Sequence, residues 1–190
     1  MYEVRFHGRG GQGAVTAAAM LAAALLEEGK YAVSIPAFGF ERRGAPVVSF
    51  LRCSERPIRQ LTNIYTPDCL ICVDPTLTRS VDIFAGLKSG GTLVQASNRP
   101  IEEVVVSDAV SKVGLCDAVS IALEIFKKPI TNTLMLGAFA RTTGIVSLDA
   151  LKRSLEDSDF RDAGLRQNLD ALQRGYDETV VHTIPQRAVA

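Results

Sequence analysis

Gly8-Arg9-Gly10-Gly11-Gln12-Gly13 lies between the alternating stretch Tyr2-Glu3-Val4-Arg5-Phe6-His7 and an alanine-rich apolar run from Ala14 to Leu26. The left flank has the period of a short strand, and the right flank holds no Gly or Pro, so the glycines mark a strand-to-helix turn, the opening of a βα unit. Glycine fits such a turn because the chain reverses tightly and a ligand or a second backbone approaches bare main chain that a Cβ would block. The helix beyond aims its unpaired N–H groups and the positive end of its dipole at the turn, which makes an anion site, with Arg9 adding a formal charge beside it.

Gly8-x-Gly10-x-x-Gly13 satisfies the dinucleotide fingerprint literally, but that fingerprint also expects a carboxylate about 20 residues further on, at the end of the second strand. Here the second strand, Tyr31-Ala32-Val33-Ser34-Ile35, ends at Pro36-Ala37-Phe38 without one. A P-loop is excluded because no Gly-Lys-Ser/Thr follows the turn. A plainer reading stays open beside the anion site: the glycines serve only to let the first helix pack tightly on the sheet.

At 190 residues the chain suits one domain, with an α/β core over about 1–128 and a helical end over about 129–190. Lysine plus arginine and aspartate plus glutamate number 21 each, so no global field recruits nucleic acid or anionic lipid, and partners must be recognised locally. The run Ala14–Leu26 is too short and alanine-rich for a membrane span, and no basic segment or cleavage pattern precedes it; the expectation is a soluble cytoplasmic protein. Of the cysteines, Cys69 and Cys72 form a CxxC inside the apolar run Asp68–Asp74, a buried parallel strand whose alternation sends the two thiols to opposite faces. They read as small hydrophobes, as do Cys53 and Cys116. Neither an iron–sulfur spacing nor paired zinc ligands occur, since His7 and His182 stand far apart.

In chain order, the first helix runs to about Glu28 and stops at Gly29. Pro36–Pro46 is an aperiodic loop with two aromatics, Phe38 and Phe40, and the arginine pair Arg42-Arg43. Strands are expected at Val47–Cys53, Cys69–Val73, Thr92–Gln95 and Val104–Val106, a short helix near Leu77–Leu87, and a polar stretch up to Gly114. Asp117 caps a helix closed by Pro129, and Thr131-Asn132-Thr133 caps a second, Leu134–Thr143, whose Gly137 marks a close approach. Ser147 caps a third, and a fourth runs from about Ala163 to Val181. Strands alternating with helices, then a helical end, give an α/β fold: a Rossmann-like open, largely parallel sheet with flanking helices.

Gly8–Gly13, then Phe38-Gly39-Phe40-Glu41-Arg42-Arg43-Gly44-Ala45-Pro46, then Asn132-Thr133-Leu134-Met135-Leu136-Gly137-Ala138, with Asn168 and Gly175-Tyr176 near the end, together resemble the gamma subunit of the pyruvate/2-ketoisovalerate ferredoxin oxidoreductase family over essentially the whole chain. The resemblance implies a multi-subunit enzyme that oxidatively decarboxylates a 2-oxoacid to an acyl-CoA and passes electrons to ferredoxin or a related acceptor. It implies alpha, beta and cluster-bearing partner subunits, with thiamine diphosphate, Mg and [4Fe-4S] clusters on those partners. Gly-Asp-Gly, needed to hold thiamine diphosphate, is absent here, so this chain is not expected to turn over substrate alone. Its implied part is to contact CoA, the phosphates held by Gly8, Arg9, Gly10, Gly11, Gln12 and Gly13 with Arg42 and Arg43 folded over the carboxyl ends of the strands.

Alternatives stand beside each assignment. Arg42 and Arg43 serve CoA contact, an interface to the catalytic subunit, or simple surface charge. Asn132 is first a helix cap and, in a second reading, an amide facing the CoA pocket. The chain as a whole is a CoA-binding subunit, a scaffold without ligand contact, or a freestanding Rossmann-type nucleotide-binding protein.

Overall fold

The computed structural model describes residues 1–37, 44–157 and 164–185. Arg42 and Arg43, with Phe38, Phe40 and Glu41, lie outside the described residues. One sheet gathers β1 (Tyr2–Arg9), β2 (Tyr31–Pro36), β3 (Pro46–Ser54), β4 (Cys69–Cys72), β5 (Gly91–Ala96), β6 (Val110–Cys116) and β7 (Val180–Thr183), in the order β2-β3-β1-β4-β5-β6-β7. β1, β4, β5 and β6 pair in parallel, while β3 inserts antiparallel between β2 and β1, and β7 closes the far edge antiparallel to β6. Because β3 reverses the direction twice over, β2 points the same way as the four parallel strands, and the sheet is mostly parallel in orientation.

One face carries the helices α1 (Ala14–Glu27), α2 (Ala118–Phe126), α3 (Asn132–Thr143), α4 (Leu148–Glu156) and α5 (Gly164–Asp177). Alternation turns Val4 and Phe6 of β1, Cys69 and Ile71 of β4, and Val94 and Ala96 of β5 toward them, into one large apolar core. The alanines of α1 leave room for close packing on the strands and on α4, and Ser154 fastens the pair by donating to the Met20 carbonyl (3.1 Å). α3 and α5 touch backbone to backbone: a Cβ on Gly137 would strike the Leu172 carbonyl, and one on Gly175 would strike the Leu134 carbonyl. That mutual approach is why glycine stands at both positions. Ser147 and Asp117 accept from the N–H groups of Ala150 (3.1 Å) and Ser120 (3.3 Å), the caps the sequence announces, and Gly29 follows α1 with φ of 78°.

The other face has no helix longer than two 3₁₀ turns among the described residues. A smaller apolar cluster built on Leu70, Cys72, Leu93, Val113 and Leu115 lies there under connecting segments. Two buried arginines hold those segments. Arg5 donates to the carbonyls of Ile83 (2.8 Å) and Ala85 (2.7 Å), and Arg52 donates to Thr62 (2.6 Å), Gln60 (3.2 Å) and Asn63 (3.3 Å) while pairing with Glu3 (2.9 Å).

Several local expectations are corrected. Leu77–Leu87 is not a helix but a 3₁₀ turn at Pro75–Arg79 followed by further turns. Thr78, Ser80 and Asp82 bond nearby backbone groups and compete with helical hydrogen bonds. Val104–Val106 is not a strand, since Val105 is exposed and the segment has no ladder partner among the described residues, whereas the expected polar stretch up to Gly114 holds most of β6, Val110–Cys116. The last helix stops at Asp177, where the Thr179 hydroxyl takes the Gly175 carbonyl, and Val180 begins β7 instead of continuing the stripe. Cys69 and Cys72 do face opposite sides, one in each apolar cluster, and all four cysteines are free and buried. Among the described residues no helix is long and apolar enough to cross a membrane.

Candidate functional site

β1 delivers the glycine turn to the carboxyl ends of the parallel strands, where open α/β sheets bind ligands. Gly8 is the packing glycine, since a Cβ there would stand 2.6 Å from Val73 Cγ2 and 3.2 Å from Ala14 Cβ. The turn closes when Gln12 N–H donates to the Arg9 carbonyl (3.0 Å) with Gly11 at φ of 92°. Its outer side is latched to the end of the Pro36–Pro46 loop, with Gly10 N–H donating to Ala45 (2.9 Å) and Gly44 N–H to Gly10 (3.1 Å). The segment that carries Arg42 and Arg43 therefore leads directly into a contact with the glycine turn.

Gly13 is the N-cap of α1 in the left-handed conformation, φ 78° and ψ 22°. Among the described residues, the N–H groups of Gly11, Gly13, Ala14, Val15 and Thr16 meet no protein acceptor. Asn132 comes from the start of α3 to the same point, its Nδ2 lying 2.8 Å from where a Gly13 Cβ would be. Its role as helix cap is corrected: the N-cap is Thr131, and Asn132 is the first helical residue. The side chain is 7% exposed, and its Oδ1 is buried without a hydrogen-bond partner among the described residues. An unmet buried acceptor costs roughly 1–3 kcal/mol, so this amide is poised for a donor from outside the chain.

Arg9 is placed differently from the free charge the sequence implies. Its Nε pairs with Asp74 (2.9 Å), Nη1 donates to the Gly44 carbonyl (3.1 Å) and Nη2 to Thr76 Oγ1 (3.0 Å). Gln12 belongs to the same network, accepting from Arg9 N–H (2.6 Å) and donating to Asp74 (3.0 Å). Burial alone would raise the Asp74 carboxyl, but hydrogen bonds from Thr76, Gln12 and Arg9 outweigh it and hold it below the ordinary aspartate value. Arg9 and Gln12 thus brace the turn against the end of β4, and Asp74 and Thr76, which the sequence reading passed over, are their anchors. The signal for them was a carboxylate standing where the buried strand ends.

What gathers is a set of outward backbone donors, one helix dipole, an unsatisfied amide and an arginine already engaged. Such a group can bind and orient an anionic, hydrogen-bonding ligand. Among the described residues no three His, Cys, Asp or Glu side chains are placed to hold a metal.

Comparison with known proteins bears on what that ligand is. Residues 3–178 match the family model described as pyruvate ferredoxin/flavodoxin oxidoreductase. The chain is 75% identical over 190 residues, all of both chains, to the gamma subunit of NADH-dependent phenylglyoxylate dehydrogenase from Aromatoleum evansii. It is 46% identical over 186 residues to the pyruvate/ketoisovalerate oxidoreductases common subunit gamma from Thermococcus litoralis, covering 97% of this chain and all of that one. The crystal structure of pyruvate oxidoreductase subunit PORC from Thermotoga maritima superposes with a TM-score of 0.82 at 38% identity, over 95% of this chain and 97% of the other.

Proposed function

This chain belongs to the pyruvate ferredoxin/flavodoxin oxidoreductase family, and from that premise we propose that it is the gamma subunit of a complex that oxidises an aromatic 2-oxoacid of the phenylglyoxylate type, with CoA and NAD⁺, to the aryl acyl-CoA, CO₂ and NADH. The observation that carries the substrate and acceptor is the end-to-end 75% identity to the phenylglyoxylate dehydrogenase subunit. The complex joins this chain to alpha, beta and cluster-bearing subunits and works in the cytoplasm. Thiamine diphosphate, held with Mg by a partner, supplies the carbanion stabilisation for loss of CO₂, and [4Fe-4S] clusters on partners carry the electrons.

The part proposed for this chain's own residues is binding. The open N–H groups of Gly11, Gly13 and the first turn of α1 take CoA phosphate oxygens. The unmet Asn132 carbonyl accepts from a pantetheine amide or a ribose hydroxyl. Arg42 and Arg43 add charge from a loop whose end is latched to Gly10. Arg9 and Gln12 keep the turn in shape, and the thiol end of CoA is left free to reach a neighbouring subunit.

A scaffold role without ligand contact is the second reading, and it is favoured by one observation: the Arg9 guanidinium is already committed to Asp74, Gly44 and Thr76. One preparation tests both readings. The assembled complex, purified through this chain, is expected to reduce NAD⁺ with phenylglyoxylate and CoA faster than with pyruvate or 2-ketoisovalerate. Arg42→Ala/Arg43→Ala is expected to raise the KM for CoA about tenfold with kcat and assembly retained, as loss of charge-assisted hydrogen bonds predicts. An unchanged KM in an intact complex leaves the scaffold.

A further inference from the structure

A second recess of ≈ 380 Å³ opens past Thr76, at the carboxyl ends of β4, β5 and β6. Small-molecule sites run from about 300 to 1,000 Å³, so it has room for a compact ligand. Gln95 lines it. On β5 this residue follows Leu93 and Val94 and precedes Ala96, all buried and apolar, and it stands opposite Cys72 in the ladder. It is 4% exposed, and its Oε1 is buried with no hydrogen-bond partner among the described residues. Packing at that position asks for an apolar side chain, and a buried amide without a partner is costly. A glutamine kept in that state points to a donor supplied by a ligand.

The rim narrows the class. Arg79 and Arg99 are both exposed, and neither has an ion-pair partner among the described residues. The first turn of α2 opens onto the same recess, with Asp117 capping Ser120 N–H and leaving the N–H groups of Ala118 and Val119 without acceptors among the described residues. Val104, Val105 and Val119 supply an apolar side, of which Val105 is 60% and Val119 41% exposed. Glu103 stands on the rim as well. A bare anion would meet two arginines and two carboxylates, so its attraction largely cancels. An apolar ligand would leave Gln95 unmet. A ligand with a flat body, a hydrogen-bonding edge, hydroxyl donors and a separate anionic group satisfies all of them.

We infer that this recess is a nucleotide site, taking a phosphorylated nucleoside whose base meets the Gln95 amide, whose ribose hydroxyls face Glu103 and whose phosphate lies with Arg79, Arg99 and the start of α2. The inference does not rest on CoA contact at the glycine turn. A free nucleotide and the nucleotide end of CoA share this chemistry, and the test separates them.

Calorimetric titration of the full chain with ADP, CoA and inorganic phosphate decides it, using the unaltered protein, Gln95→Met, Arg99→Ala and, as a control at the amino ends of the strands, Lys88→Ala. ADP is expected to bind at least tenfold more tightly than phosphate. It should weaken at least tenfold in Gln95→Met and in Arg99→Ala, and remain unchanged in the control. Gln95→Met nearly conserves volume and removes the unmet acceptor, so its melting temperature should equal or exceed that of the unaltered protein. If that variant fails to fold, Arg99→Ala on the surface carries the test. CoA competing with ADP identifies the nucleotide end of CoA, and CoA without competition identifies a free nucleotide. No ADP binding, binding indifferent to both variants, or phosphate binding as tight as ADP overturns the inference. A failed CoA role at the glycine turn registers separately, as an unchanged KM for CoA in the arginine pair variant.

Discussion

Val4 and Phe6 of β1 look into a core roofed by α1, α3 and α5, while Arg5 and His7, their neighbours on the same strand, look into a layer of turns and loops. β3 repeats the contrast, with Leu51 and Cys53 on the helical side and Arg52 on the other. Helices satisfy their own backbone, so the helical side needs only apolar surface and close approach. Irregular segments leave carbonyls unmet, so the opposite side uses buried guanidinium groups, which donate several bonds each. The lesson is that a sheet face can be roofed without helices if cations replace part of the apolar contact. That roof then depends on charge and on pH where the helical one does not.

The largest effect that would sharpen this contrast belongs to the helical side. Gly175→Val drives a side chain into the Leu134 carbonyl, and it should abolish soluble folding or cost about 4 kcal/mol or more by denaturant titration. Next, Arg52→Ala strands three loop carbonyls and leaves the half-buried Glu3 carboxylate with Lys88 alone, with an expected loss of about 2–4 kcal/mol. Glu3→Leu/Arg52→Met should regain less than half of that, because the carbonyls stay unmet. Full recovery would mean that only the ion pair mattered and would break the comparison.

Smaller effects follow from proton and surface charge. Burial, with the adjacent Arg5 cation, pushes His7 down to about 3. Its Nε2 accepts from Arg5 Nε (2.9 Å), so the folded protein holds it neutral. Above pH about 6.5 the ring is neutral in both states and costs nothing. As the pH falls from there toward 3 the unfolded chain takes up a proton that the folded one refuses, and stability declines by up to about 1.4 kcal/mol per pH unit. His7→Gln should flatten that decline in denaturation curves at pH 7 and pH 5. Least of all, Lys88→Ala removes half-exposed pairs to Asp68 and Glu3 and should cost under about 1 kcal/mol.

The helical side was far more legible in the sequence than its opposite. Alanine-rich α1, the caps Asp117 and Ser147, and the close contact at Gly137 all act within or next to their own segments, so the order of residues displays them. Ser111, Lys112 and Gly114 dilute the apolar pattern of β6, and Val180 falls one turn after Tyr176, so β7 looks like more helix. The insertion of β3 between β2 and β1 is a long-range pairing that no local pattern encodes. At the candidate site, the glycine turn was visible by itself. The meeting of Gly13 with Asn132 was not, because the local pattern shows Asn132 only as part of a helix cap. Asp74 and Gln95 were overlooked because a polar residue near the end of an apolar strand reads as the place where the strand stops.

The run Cys69-Leu70-Ile71-Cys72 sets one thiol beneath each roof, both fully enclosed, and burial raises the pKa of both well above the ordinary cysteine value, Cys72 to about 12. Neither sulfur can react with an alkylating reagent until its own side lifts. Two atoms three residues apart therefore act as separate clocks, and the order in which mass spectrometry finds them labelled reports which side of the molecule opens first.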